Sequence, residues 1–131
     1  MQVVTDGDAY YLLHRALGAE CRLRRLLTGE TTTLPCESLA PARVEAALAA
    51  VGDDLEDQAV GSNKAAALLL ELALGGPASA RELLDRFDVC ESDLHGAVSE
   101  LRAAGLLEQT SVYGERGYRV TTTVDSNRDD P

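Results

Sequence analysis

A chain of 131 residues, 45% apolar and carrying a formal net charge of −10, has room for one domain with its own core or a small domain with an accessory element. The apolar fraction excludes a wholly disordered chain, and no apolar run approaches the roughly eighteen residues of a membrane span. The start, "MQVVTDGDAYY", lacks the basic flank and apolar block of a secretory signal, so an intracellular, cytoplasmic protein is expected.

In chain order, "AYYLLHRALGAECRLRRLL" predicts a helix capped by Asp6 or Asp8 and running to about Leu27. At helical spacing Tyr10, Leu13, Leu17, Cys21 and Leu27 fall near one face. Leu12, Ala16, Leu23 and Leu26 widen it, and Arg15, Arg22 and Arg25 lie outside. Gly29, Pro35 and Pro41 then interrupt the pattern as a loop with a short extended piece at Thr31–Leu34. A second helix is expected from about Pro41 to Val51, with Val44, Ala47, Leu48 and Val51 on its apolar face and Gly52 as its stop.

The acidic run "GDDLEDQAVGSN" reads as a linker, after which the pattern changes. "SNKAAALLLELAL" is a helix apolar almost all round, stopped by Gly75, Gly76 and Pro77. Ser79 and Glu82 have capping-box spacing at the head of "SARELLDRF". "SDLHGAVSELRAAG" follows, with Leu94, Ala97, Val98 and Leu101 on one face and Gly105 as its stop. A hairpin closes the chain: strand Leu106–Val112, tip Gly114–Gly117, strand Tyr118–Val124. The regions expected are 1–57, helical; 58–63, a linker; 64–124, a second domain; and 125–131, a polar tail.

The order helix, helix, helix, strand, strand, carried by "ARELLDRFDVCESDLHGAVSELRAAGLLEQ" and "YGERGYRVT", resembles the winged helix-turn-helix superfamily. The similar groups are the MarR-, ArsR- and PadR-like regulators and the phage-repressor-like proteins of haloarchaea, and the match covers about Ser62 to Val124. The expected fold class is therefore mainly α with a small β-hairpin wing, a winged helix-turn-helix preceded by an N-terminal helical element. The resemblance implies a DNA-binding transcriptional regulator whose helix at about 91–104 reads the major groove while the wing at 113–119 touches the backbone. Candidate contacts to double-stranded DNA are Ser79, Arg81, Ser92, His95, Ser99, Arg102, Arg116 and Arg119, with Glu91, Asp93 and Gly96 also on the reading face. Flanking helices often dimerise such regulators, so Tyr10, Leu13 and Leu17 are the expected seam of a homodimer. The alternative for this stripe is packing inside the monomer.

The charge argues the other way. Between Ser62 and Val124 there are six basic residues against nine acidic, a net −3, and related reading helices are usually richer in Arg, Lys, Asn or Gln. The alternative function is thus a winged-helix protein–protein interaction module of a chromosome-organising, replication or transcription complex. Acid-rich composition with Lys64 as its one lysine also resembles proteins of salt-loving organisms, where a Debye length of about 3 Å in molar salt screens repulsion from DNA.

No cofactor, metal or catalytic centre is expected. Cys90 with His95, and His14 with Cys21, each lack the second close pair of a zinc site, and "GGPAS" lacks the Lys-Ser/Thr ending of a phosphate loop. Cys21, Cys36 and Cys90, odd in number and far apart, read as reduced thiols. His95 reads equally as a base contact, a pH sensor or a solvated surface residue. Arg119 has a second reading too, as the partner of a glutamate across the strands.

Overall fold

The computed structural model describes residues 1–51 and 62–121. It begins with five antiparallel strands: β1 (Gln2–Thr5), β2 (Tyr10–Leu17), β3 (Glu20–Arg25), β4 (Thr31–Pro35) and β5 (Ala40–Pro41). Their spatial order is β4-β3-β2-β1-β5. The expectation of a mainly α chain with an N-terminal helical element is overturned: the protein is mixed α/β, with this sheet and a second one of three strands.

The helix expected up to Leu27 is the β2–β3 hairpin, which turns at Gly18 with φ 66°. The reason is burial on both sheet faces. In β2, Leu12 and His14 face the helices while Tyr11 and Leu13 pack into a cluster on the other side, so apolar residues run consecutively instead of alternating. Such a run looks the same in a buried strand and a buried helix, and a register shift between Leu13 and Arg15 blurs the period further. Asp6, expected as a helix cap, instead accepts hydrogen bonds from the N–H groups of Asp8 (2.9 Å) and Ala9 (3.0 Å) and closes the β1–β2 turn.

The outer cluster comprises Val4, Tyr11, Cys21 and Leu23, flanked by Leu13, Leu34, Cys36 and Leu39. Pairing of Cys21 opposite Leu34, and donation from the Cys36 N–H to the Ala19 carbonyl, bring Cys21 and Cys36 to 5.1 Å between Cα atoms, where they form a disulfide. This corrects the reading of three reduced thiols; Cys90 is the free one. The bridge spans a sequence separation of 15, for which loop closure predicts about 3 kcal/mol of stabilisation. Dithiothreitol should therefore lower the thermal midpoint by several degrees, and the double replacement Cys21→Ser/Cys36→Ser should abolish that sensitivity.

Helix α1 (Val44–Val51) begins three residues after Pro41, because Pro41 pairs with Val4 in the sheet. The expected linker falls on residues outside the described set, except Ser62 and Asn63, which cap and open α2 (Asn63–Gly75). Ser62 Oγ accepts from the Ala65 N–H at 3.0 Å. Every residue of α2 from Ala65 to Leu72 is buried, and burial of Leu68, Leu69, Leu70 and Leu72 contributes on the order of 2 kcal/mol each. The chain continues as β6 (Ala78–Ser79), α3 (Ala80–Arg86), α4 (Glu91–Ala103), β7 (Leu107–Val112) and β8 (Glu115–Val120), the second sheet being ordered β6-β8-β7. One buried cluster unites the two halves, running from Val3 and Leu12 of the sheet and Leu26 just after β3 through α2 to Leu83, Phe87, Leu94, Leu101 and Tyr118. No helix among the described residues is long and apolar enough to cross a membrane.

A polar joint locks the first sheet to the helices. Glu71 of α2 is fully buried and receives four charge-assisted contacts. Its Oε1 lies 2.8 Å from His14 Nε2 and 2.9 Å from Arg24 Nε; its Oε2 lies 3.0 Å from the second Arg24 nitrogen and 2.9 Å from Arg86. Burial pushes the Glu71 carboxyl up, but the hydrogen bonds and charges of His14 and Arg24 outweigh it and hold the group down at about 2. Alongside, Arg15 donates to the carbonyls of Asp85 and Phe87 at 3.0 and 3.1 Å, capping the C-terminal end of α3.

The hairpin tip also departs from expectation. Tyr113 and Gly114 both have positive φ, 53° and 79°, so the turn has two residues and β8 starts at Glu115 rather than Tyr118. Gly117 lies inside β8, paired with both Thr110 and Ser79. The expected strand residues 122–124 lie outside the described set.

A candidate nucleic-acid interface

Helix α4 buries Leu94, Ala97, Val98 and Leu101 and turns Glu91, Ser92, His95, Gly96, Ser99 and Arg102 to solvent. Cys90 occupies the N-cap position without a side-chain cap bond; its Sγ lies 3.3 Å from Ser92 Oγ. Two of the three carboxylates of α4 are engaged with the start of α2. Asp93 pairs with Lys64 at 3.0 Å, and the Lys64 hydrogen bond, followed by that of Cys90, holds its carboxyl below the usual aspartate value. Glu100 accepts from Ser62, from its Oγ at 2.9 Å and its N–H at 3.2 Å. Asp93 and Glu100 thus lean toward the start of α2, and Glu91 is the carboxylate left fully on the outward face.

Gly96 sits in the middle of this exposed face. A Cβ added there meets nothing within 4 Å, so internal packing does not demand glycine, although glycine in a helix interior costs about 1 kcal/mol relative to alanine. A bare patch of backbone flanked by Ser92, His95 and Ser99 suits close approach by a partner surface.

Ser79 is buried and committed to the fold: its Oγ accepts from the Glu82 N–H at 3.0 Å while Glu82 Oε1 accepts from the Ser79 N–H at 2.9 Å. Arg81, largely exposed, stands 3.8 Å from Glu115. Arg119 pairs with Glu108, directly opposite it in β7. Arg102 and Arg116 are exposed, with no carboxylate among the described residues in ion-pair range. Tyr10, Leu13 and Leu17 form no helical stripe: Tyr10 packs on the main core, Leu13 on the outer cluster, and Leu17 at the end of β2 is half exposed.

Sequence reasoning passed over Tyr113. It stands at the tip of the hairpin, 93% exposed, one residue before Gly114. An aromatic residue immediately ahead of a glycine between two strand-like runs was the available signal.

Elsewhere, a groove of about 390 Å³ on the outer sheet face is lined by Gln2, Val4, Leu13, Ala16, Cys21, Cys36, Leu39 and their neighbours, with no titratable side chain in its lining. Among the described residues no three His, Cys, Asp or Glu side chains are grouped to hold a metal ion. Against known proteins, no curated protein and no solved structure matches the chain. A family of unknown function (DUF7346) matches residues 1–128, and the chain belongs to that family.

Proposed function

We propose that the protein binds double-stranded DNA as a small transcriptional regulator, with α4 in the major groove and the β7–β8 hairpin as a wing against the adjacent backbone. The carrying observation is the outward face of α4: Ser92, His95, Gly96, Ser99 and Arg102 are exposed together while Asp93 and Glu100 are drawn to Lys64 and Ser62. Serine, histidine and arginine all contact base edges or phosphates, and the order of α2, β6, α3, α4, β7 and β8 agrees with the winged helix-turn-helix resemblance. Two copies on a two-fold operator would set their α4 helices about 34 Å apart, one turn of DNA.

The test is binding to mixed-sequence duplex from low to molar salt. Log affinity should fall with log salt, and Arg102→Ala and Arg116→Ala should each reduce the slope by about one, the contribution of one phosphate. Gly96→Ala should raise the thermal midpoint yet weaken binding, by removing clearance at the contact face. Undetectable binding across the whole salt range would overturn the reading. It would favour the rival, a protein-interaction module, for which the overall charge of −10 is the supporting observation.

A further inference from the structure

We infer that Tyr113 is a wedge that inserts its ring into a base step of double-stranded DNA from the minor-groove side, an inference that rests on the reading of α4 as the major-groove element. Two features of the tip carry it. A two-residue turn with both φ values positive favours Asn-Gly or Gly-Gly, and a bulky side chain at φ 53° is strained there. The fold gains nothing in return, because the Tyr113 ring is 93% exposed. A strained, protruding aromatic is thus held where it serves a contact outside the molecule.

The surroundings indicate what that contact is. Arg116 lies two positions beyond the turn, exposed and with no described carboxylate in ion-pair range, and Arg119 follows along the same strand, paired with Glu108. A flat ring at the tip of a hairpin whose second strand carries an exposed cation matches a base step flanked by phosphate. Reach agrees as well. At about 3.3 Å per residue, β7 carries Tyr113 roughly 20 Å past Leu107, beyond the roughly 12 Å width of a major groove occupied by α4. Partial opening of a step is easiest at pyrimidine–purine steps such as TA, so the wing would add preference for such a step at a position α4 does not touch.

The chain contains no tryptophan, so Tyr113→Trp introduces a single reporter at the tip. Titrated with a 20-base-pair mixed duplex, its emission should be strongly quenched by stacking. Tyr113→Asn should fold at least as well as the parent, since asparagine is favoured at this φ, yet bind the duplex on the order of tenfold more weakly, the usual effect of removing one base–aromatic stack. Its salt slope should match that of the parent, in contrast to Arg116→Ala, and Tyr113→Phe should bind like the parent. If the parent binds duplex while Tyr113→Asn loses nothing and the tryptophan emission is unchanged, the wedge is overturned and the assignment of α4 stands. If the parent binds no duplex at any salt, both fall, and the tip is a contact for a protein.

Discussion

Glu71→Ala should destabilise the protein by about 3–5 kcal/mol, a large share of the roughly 5–15 kcal/mol that holds a domain of this size folded. The magnitude follows from what remains behind. The side chains of Arg24 and Arg86 are only 14% and 28% exposed, so removing their shared carboxylate strands two guanidinium groups where water reaches them poorly and leaves the buried His14 ring without its partner. Glu71→Gln keeps the shape but replaces one acceptor oxygen with a donor facing arginine, and should lose almost as much. Chemical denaturation at pH 7 measures both.

The acid limb of the stability curve gives the same group a second signature. Folding holds the Glu71 carboxyl at about 2, below its ordinary 4.5, so its contribution is complete above pH 4.5 and fades as pH falls toward 2. That displacement corresponds to roughly 3 kcal/mol. Asp6 and Asp93 are also lowered and tilt the curve in the same direction, but they do so equally in Glu71→Gln. The difference between parent and variant should therefore be large at pH 7 and shrink toward zero at pH 2; a gap independent of pH would refute the assignment. Salt separates this joint from surface pairs such as Arg43–Glu45, whose side chains are 85% and 80% exposed. Molar salt should erase the worth of such a pair and leave the Glu71 penalty nearly intact.

The joint also explains why the halves of the chain differed so much in what local pattern revealed. The three helices from α2 to α4 are announced by signals a few residues apart: the Ser62 cap, the Ser79–Glu82 box, and the spacing of Leu94, Val98 and Leu101. Nothing comparable marks residues 10–27. β2 is buried on both faces, β3 alternates Glu20 and Arg22 with Cys21 and Leu23 over only four residues, and the residues that look like a helical stripe divide between two clusters on opposite sides of a sheet. Gly18 was the one local turn signal inside the stretch. The disulfide was equally hidden, because Cys21 and Cys36 meet only through the β3–β4 register.

At the candidate interface the same division holds. Spacing alone places Ser92, His95, Ser99 and Arg102 on one face of α4, and that face is exposed. The orientation of Asp93 and Glu100 depends on Lys64 and Ser62, about thirty residues or more away in sequence, which spacing along α4 does not reveal. Ser79 had two possible uses, cap or DNA contact, and the capping box takes its hydroxyl. The Gly114–Gly117 pair invited a symmetrical tip, and only β6, a two-residue strand with no sequence signal of its own, shows that the second glycine has a different purpose.

That purpose predicts the other large effect: Gly117→Val should cost at least the roughly 3 kcal/mol upper end of overpacking penalties, and Gly117→Ala about 1–3 kcal/mol. A Cβ at Gly117 would lie 2.6 Å from Val112 Cγ2, 2.7 Å from the Ala78 carbonyl oxygen and 3.1 Å from Ser79 Cα. Val112 could rotate away, but the other two atoms are backbone of β6, and moving them disturbs the Ser79 cap that opens α3. Relief must come either from parting β6 from β8 or from shifting the wing. Gly114 provides the contrast. Its φ of 79° makes alanine strained there, but an added Cβ meets nothing within 4 Å, so Gly114→Ala should cost about 1 kcal/mol with β6 undisturbed. Amide hydrogen exchange distinguishes the two. Protection should be lost at Ser79 and along α3 in Gly117→Val and kept in Gly114→Ala, and equal protection in both variants would show that β6 yields without carrying the helix with it.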